Sequence, residues 1–450
     1  MSRIRIIITI IVVVLTTLLT GCTGKEPNEI AYVVALGIDS TDDDNYKITI
    51  QYANTTQISG GASESGGKAG SEIVDNVTIE APNIYAGVGL ANNIVSKSFS
   101  MSHAKLIVFS KEIAEKGVKD MIETLVRSEE IRPDVFIAVA NTTANDYLTS
   151  VNPEMEVNPA QYYQLIYQKN QLVGIPDGQL REFFTGLYTD NYDSILPVAG
   201  VIEGSGGNSQ NDDREQSKDG QNEGSDGSSE SLDSFESKSS DDKDENEKEK
   251  DAEKNTSKYE YDIKNYVGGE TAIEKKNKAE AIGAAVFEKD KMVGELGEVE
   301  TEICKMLKGD YTYSYLTYYN NDTPDIPITV KTTQQKKPKY KINTDKKTVD
   351  IELYIESDLY SLPADYNVEN KIEDFERDVA NYTSSACTEF INNFTKKYNS
   401  DILKLNEKVK YKFLTNNQYN WFKKNVGWSE YKFSVCTNFK VRRTGLIVRE

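Results

Sequence analysis

The 450-residue chain has one histidine, His103, and four cysteines, none of which form a C-x-x-C pair. A lone histidine leaves no basis for histidine-rich metal or proton-transfer chemistry. The cysteine spacing excludes a zinc ribbon and a thioredoxin-type motif. Positive charge is in deficit, with 52 Lys and Arg against 72 Asp and Glu, a net charge of -20 and a pI near 4.8. Nucleic-acid binding needs clustered cations to neutralise phosphates, so that balance argues against it. Beyond the N-terminus there is no second long apolar run, which excludes a polytopic membrane protein. No G-x-S-x-G nucleophile elbow occurs anywhere.

What is present is unevenly distributed. Residues 204–258 hold 17 acidic and 8 basic side chains, a net of -9, and their only apolar residues are Leu232, Phe235 and Ala252. Such a stretch cannot bury enough surface to offset the cost of ordering its backbone, and is expected to be a disordered, solvated insertion. The remainder carries nearly all the Ile, Val, Leu, Tyr and Phe and is long enough to bury real cores.

The N-terminus carries the strongest local signal. Arg3 and Arg5 precede residues 6–19, which are all Ile, Val or Leu except Thr9, Thr16 and Thr17. Fourteen residues suit the apolar core of a signal peptide better than a spanning helix, which needs about 20. Leu19-Thr20-Gly21-Cys22 follows and resembles a bacterial lipobox. Cleavage after residue 21 would leave Cys22 as an acylated first residue, tethered by two chains where one gives only marginal binding. An uncleaved anchor helix is the other reading. Either places the body outside the cytoplasm at a membrane surface.

Periodicity outlines the rest. Residues 30–39 form a near-continuous apolar run that suits a buried strand. Tyr46, Ile48, Ile50 and Tyr52 alternate as in a half-exposed strand. Residues 60–70 read as a Gly/Ser loop, and Pro82 as the opening of a helix bearing Ile84, Val88, Ala91 and Val95. A strand over 103–110, a helical segment over 111–129, a strand over 135–140 and a short helix over 144–149 follow. This first unit is mixed α/β. Residues 281–296 read as a β-hairpin, and Val349, Ile351, Leu353 and Ile355 as a strand. Val368, Ile372, Phe375, Val379, Tyr382, Ala386, Phe390 and Phe394 mark a long amphipathic helix over 367–398. Alternation of Tyr431, Phe433, Val435, Thr437, Phe439 and Val441 marks a terminal strand. The second half is α+β, an antiparallel sheet with a long helix on one face.

The expected domains are a signal peptide over 1–21, an N-terminal α/β domain over 22–200, the insertion over 204–258, a middle remainder over 259–310 and a C-terminal α+β domain over 311–450. The fold class is α+β with mixed α/β, multi-domain, antiparallel-rich sheets each packed with helices.

Motifs that would carry chemistry fail on inspection. Gly61 to Ala69 approaches a phosphate-binding P-loop, but Ala62 stands where its first glycine belongs and Ala69 where its Ser/Thr belongs. Gly87-Val88-Gly89-Leu90-Ala91-Asn92 lacks the third glycine of a dinucleotide fingerprint and sits inside a helix pattern. His103, ahead of an apolar strand, reads as a structural histidine. Cys304, Cys387 and Cys436 allow at most one bridge, with Cys387 and Cys436 on elements expected to pack together; buried unpaired thiols are the favoured reading. No catalytic, cofactor-binding or metal-binding residue is assigned. Cys22 is the one candidate site, for lipid attachment.

Several segments match a known family in order along the chain. Asn28-Glu29-Ile30 leads into Ala35-Leu36-Gly37-Ile38-Asp39. Ser102-His103-Ala104-Lys105-Leu106-Ile107-Val108 follows, then Ala114 to Gly117 and Arg127-Ser128-Glu129-Glu130-Ile131-Arg132. Later come Gly283-Ala284-Ala285-Val286-Phe287 with Asp290-Lys291-Met292-Val293-Gly294-Glu295-Leu296, then Trp421, Trp428 and Arg443-Thr444-Gly445. Together with the lipobox they resemble the Ger(x)C family of spore germination lipoproteins, the C subunits of nutrient germinant receptors. That resemblance implies three α/β and α+β domains, two membrane-embedded partner subunits, and a place on the outer face of the spore inner membrane. It implies no catalysis and no cofactor, and leaves a nutrient ligand open. The 204–258 insertion is longer and more acidic than the family pattern, and residues 397–405 align only loosely with its C-terminal Asp-Pro/Phe-Gly region. The alternative class is a solute-binding lipoprotein that feeds a transporter.

Overall fold

The computed structural model describes residues 3–10, 29–43, 45–53, 74–152, 158–168, 174–189, 191–202, 265–271, 278–319, 327–361 and 371–444. Cys22, most of the expected signal peptide, the 60–70 loop and the 204–258 insertion lie outside the described residues. Residues 3–10 are helical with exposed isoleucines, and among the described residues no helix is long and apolar enough to cross a membrane.

The first half begins with β1 (Ile30–Ser40), β2 (Tyr46–Ala53), β3 (Val74–Ala81), α1 (Ile84–Ala91), β4 (Ser98–Ser100), β5 (Leu106–Ser110), α2 (Lys111–Lys116) and α3 (Lys119–Val126). It continues through β6 (Phe136–Ala140), α4 (Ala144–Ser150), α5 (Pro159–Gln168), α6 (Leu180–Thr189), β7 (Ile195–Val201), β8 (Ala279–Glu288) and β9 (Lys291–Leu296). All nine strands join one sheet in the order β3-β2-β1-β5-β6-β7-β8-β9, with β4 also paired to β1. Strands β1, β5, β6 and β7 run parallel, flanked by antiparallel hairpins at both ends.

The parallel centre explains the apolar run of β1. Its Val34 and Ala35 enter a core under α4 and α5, while Leu36 and Ile38 enter another under α1, α2, α3 and α6. A strand covered on both faces has no polar side to alternate with. The hairpin over 281–296 completes the edge of this same sheet.

The second sheet is built from β10 (Tyr313–Tyr319), β11 (Pro327–Gln334), β12 (Lys339–Asn343), β13 (Thr348–Ser361) and β14 (Lys432–Arg443). Helix α7 (Glu298–Lys308) precedes it, and α8 (Ile372–Tyr398), α9 (Leu405–Val409) and α10 (Asn416–Asn425) lie between β13 and β14. Phe375, Val379, Cys387, Phe390 and Phe394 of α8 are buried, and Phe433, Val435, Thr437 and Phe439 of β14 face inward. One core runs from Ala284 and Leu296 of the first sheet through the buried α7 residues Cys304 and Leu307 to Ile351 and Phe433 of the second.

Several expectations are corrected. The helix over 111–129 is two helices, broken at Gly117, whose φ of 126° is a conformation that side chains resist. The strand over 103–110 starts at Leu106, because Met101–His103 winds into a 3-10 turn. The helix assigned to Pro82 is capped by Asn83, whose side chain accepts from the Ala86 amide, and it stops before Val95. The middle of β2 is buried on both faces: Gln51 donates to the Leu148 carbonyl at 2.9 Å under α4. The second sheet is not wholly antiparallel, since β14 runs parallel to β13 and α8 supplies the crossover such pairing requires. That helix starts at Ile372; the stretch before it, including Val368, lies outside the described residues.

Candidate functional site

A polar cleft of about 480 Å³ opens where the segment 174–179, α6, the approach to β7 and the end of α7 converge. Its charged lining comes from Asp177, Glu182, Asp193, Lys305, Lys308, Asp310 and Lys404. Helix α7 sets the cations in place. Acidic Glu298 and Glu300 occupy its first turn and Lys305 and Lys308 its last, the arrangement its dipole favours. Gly309 then ends it at a φ of 83°, turning Asp310 back toward the cleft.

Lys305 is only 5% exposed, and its Nζ donates to the Ile175 carbonyl at 3.0 Å. Burial disfavours the ammonium form and pulls its pKa down to about 8. Lys404 reaches Glu182 at 3.2 Å and lies 4.2 Å from the centre of the Tyr192 ring. The Tyr192 hydroxyl donates to the Glu182 carbonyl at 2.9 Å. Burial raises the Asp177 carboxyl above the usual range.

Two further titratable groups stand behind the cleft. The Asp401 carboxylate accepts from the Leu405 and Asn406 amides at 2.7 and 2.8 Å, capping α9. Its own amide donates to Asp193 at 2.8 Å, and burial pushes its pKa up to about 7. Glu302 accepts from the Tyr311 hydroxyl at 3.2 Å and is likewise raised by burial to about 7. The cleft therefore presents charges of both signs in a partly dehydrated setting. It suits a small polar ligand bearing complementary ends. Among the described residues no group of three or more His, Cys, Asp or Glu is arranged to hold a metal ion.

Of the residues singled out from the sequence, Cys22 is outside the described set. His103 is exposed; its ring meets Tyr32 edge-on at 4.8 Å and its Nδ1 pairs with the Ser102 hydroxyl at 3.0 Å. All three described cysteines are free. Cys304 and Cys387 are buried, with thiols raised to about 11 and 12, whereas Cys436 is exposed, so the buried reading fails for that residue. Strand alternation turns it to the face of β14 opposite the one packed on α8, so it cannot meet Cys387.

No sequence motif marks the cleft. Its sole local signal is the pair Lys305 and Lys308, which a helix C-terminus attracts in any case.

The ordered motifs turn out to hold the architecture together. Asp39, buried at the end of β1, accepts from the Ala144 and Asn145 amides at 2.6 and 3.0 Å and caps α4 together with Thr143. Glu130 accepts from the Met101 amide at 2.6 Å. Asp290, in the turn of the β8–β9 hairpin, offers its carbonyl to the Val118 amide at 3.0 Å beside Gly117. These residues join segments far apart in sequence, and none of them lines the cleft described above.

Comparison with known proteins identifies the family. Residues 24–201 match the spore germination protein N-terminal domain, and residues 282–445 match the spore germination B3/GerAC-like C-terminal domain. The chain belongs to the GerAC-like family of spore germination proteins. Relatives in Bacillus subtilis include spore germination protein KC, 26% identical over 176 residues, which is 36% of this chain and 43% of that protein. Putative spore germination protein YfkR is 28% identical over 145 residues, 32% of this chain and 37% of the relative. Spore germination protein B3 is 26% identical over 148 residues, 31% and 36% respectively. The matched stretches thus span less than half of these relatives. The crystal structure of the GerBC protein covers 90% of this chain and 96% of its own, at 15% identity and a TM-score of 0.48.

Proposed function

We propose that the chain is a lipid-anchored, non-enzymatic subunit of a nutrient germinant receptor that helps trigger spore germination. Acylated Cys22 holds it on the outer face of the spore inner membrane, beside two membrane-embedded partner subunits. The observation that carries this reading is the match of both halves of the chain to the spore germination family. The lipobox at Leu19-Thr20-Gly21-Cys22 supports the anchor. Confinement to a surface raises the effective concentration of the body for membrane partners without any new contact. The domains proposed are 22–200 and 311–450. Between them, the 259–310 stretch completes the first sheet with β8 and β9 and enters the second core with α7.

The test is Cys22→Ala in the full-length chain. The body is expected in the soluble fraction, with nutrient-triggered germination impaired. A normal germination response with soluble protein overturns the reading.

The mixed-charge cleft favours a second reading, a solute-binding lipoprotein of a transporter. Calorimetric titration with free amino acids, whose two termini match the charges of both signs, distinguishes the two. Tight binding that Lys308→Ala abolishes, with germination intact in that variant, supports the transporter reading.

A further inference from the structure

The net charge of the whole chain conceals a local reversal. Between residues 408 and 425 there are five lysines and no Asp or Glu, in a protein whose net charge is -20. Among the described residues, the same stretch displays the most exposed large apolar side chains of the second half. Tyr411 is 79% exposed, Leu414 95% and Trp421 68%. Scattered apolar residues on a surface are ordinary. Here Leu414 and Trp421 border one shallow depression, which Phe413, Phe422 and Lys412 also line.

The display is held firmly from beneath. The Thr415 hydroxyl caps α10 by accepting from the Gln418 amide at 3.3 Å. On its buried side, the Tyr419 hydroxyl donates to the Asn406 carbonyl at 3.1 Å. The Phe413 and Phe422 rings meet at 4.9 Å, and Phe422 packs edge-on against Trp428, which is buried. Leu414 and Trp421 therefore project from a fixed base. Lys410, Lys412 and Lys424 are exposed on the same short segment, with the Lys412 ammonium donating to the Ile342 carbonyl and that of Lys410 5.7 Å from the centre of the Tyr419 ring.

We propose that this patch is a second membrane contact, docking on an anionic lipid surface independently of the acyl tether. Tryptophan and tyrosine favour the headgroup level of a bilayer, where an apolar ring and a polar edge are both accommodated. An aliphatic tip such as Leu414 enters the acyl boundary, while lysine stems lie along it with their ammonium groups at the phosphates. Charge complementarity selects this occupant. An acidic body is repelled by an anionic bilayer except where its own surface turns basic, and this basic stretch is where the apolar side chains stand out. The two contacts would fix the orientation of the body, which a single point of attachment leaves free. The proposal rests on the reading that the protein works at a membrane.

The two tryptophans supply the test, since one is exposed and the other buried. Full-length protein is bound to vesicles of phosphatidylglycerol and phosphatidylcholine carrying brominated acyl chains, beside a Trp421→Phe variant in which only Trp428 emits. A blue shift and bromine quenching present in the wild type and absent from Trp421→Phe are expected. The variant Lys410→Gln, Lys412→Gln, Lys424→Gln should lower the docking equilibrium about 100-fold, each lysine adding roughly fivefold near an anionic surface. Raising the salt should act in the same direction.

Sedimentation with vesicles reports the anchor and quenching reports the patch, so failure of one is not mistaken for failure of the other. A Trp421 emission that stays accessible to aqueous iodide on vesicle-bound protein overturns the proposal. So does equal quenching on neutral phosphatidylcholine vesicles. So does a Trp421 shielded in native membranes but untouched by brominated lipid, which would mean that a protein covers the patch.

Discussion

Asp401 and Lys305 are ionisable side chains held where neither charged form is well hydrated, and their proton equilibria move in opposite directions. Burial outweighs the two amides that Asp401 accepts from, so its pKa rises to about 7 from an unfolded value near 3.9. Between those values the folded chain binds the proton more tightly. The group therefore contributes stability below about pH 4 and loses it as the pH climbs through about 7. Lys305 is depressed to about 8 against an unfolded value near 10.4. Its contribution is present above pH 10.4 and is lost as the pH falls through about 8. Urea unfolding across a pH series checks both. Between pH 4 and 7 the wild type should lose stability relative to Asp401→Asn by on the order of 1.4 kcal/mol per pH unit. Between pH 8 and 10 it should gain relative to Lys305→Met. Parallel curves for wild type and variant would show that the group is hydrated in solution.

Elements meet through a few specific contacts, and the junction of α2, α3 and the β8–β9 hairpin is the most sharply defined. Gly117 has a φ of 126°, and a β-carbon added there would stand 2.7 Å from an Asp290 carboxylate oxygen. Gly117→Ala combines backbone strain with that clash and should cost about 1–3 kcal/mol, read as a lower urea midpoint with unchanged slope. Strand alternation gives a second expectation. In native protein Cys436 should react with a thiol reagent while Cys304 and Cys387 stay inert until denaturation, because burial suppresses their thiolates. One reactive thiol in the native state also means that Cys22 is capped; two mean that it is free. These elements differ in how well the sequence announces them. Strand β1, helix α8 and strand β14 were legible because facing a core imposes a period on the side chains. Helix α7 was not, since its decisive residue is a lysine whose burial depends on the Ile175 carbonyl, 130 residues away. Nothing near Asp39 in sequence reveals that it caps a helix at Ala144. The cleft was hidden for the same reason, being made of ordinary surface residue types brought together from segments far apart in sequence.

At the scale of the whole molecule, the acidic insertion falls within the connection between β7 and β8. Strands β7 and β8 are antiparallel neighbours, Val201 opposite Ala279, and the Ile202 amide donates to the Lys278 carbonyl at 2.8 Å. Residues 202 and 278, the two ends of the connection that carries the insertion, are thus already joined by the sheet. The described strands of both sheets all lie outside residues 204–258. Replacing a long connection by a shorter one reduces the entropy lost on closing it, and the dependence on length is only logarithmic. Deleting residues 204–258, while keeping 265–271, should therefore leave the native state intact and raise its stability by about 1 kcal/mol. The 265–271 stretch has to stay because the Gly268 amide donates to the Ile282 carbonyl at 3.0 Å, lining the edge of β8. The deletion also removes nine net negative charges from a chain of -20 and so weakens its repulsion from an anionic bilayer. Thermal unfolding of the shortened protein checks the first expectation and binding to phosphatidylglycerol vesicles the second. A shortened chain that unfolds at lower temperature would show that the insertion packs on the sheets. If it binds anionic vesicles no more tightly than the full chain, its charge is too remote from the Lys410, Lys412 and Lys424 patch to oppose docking.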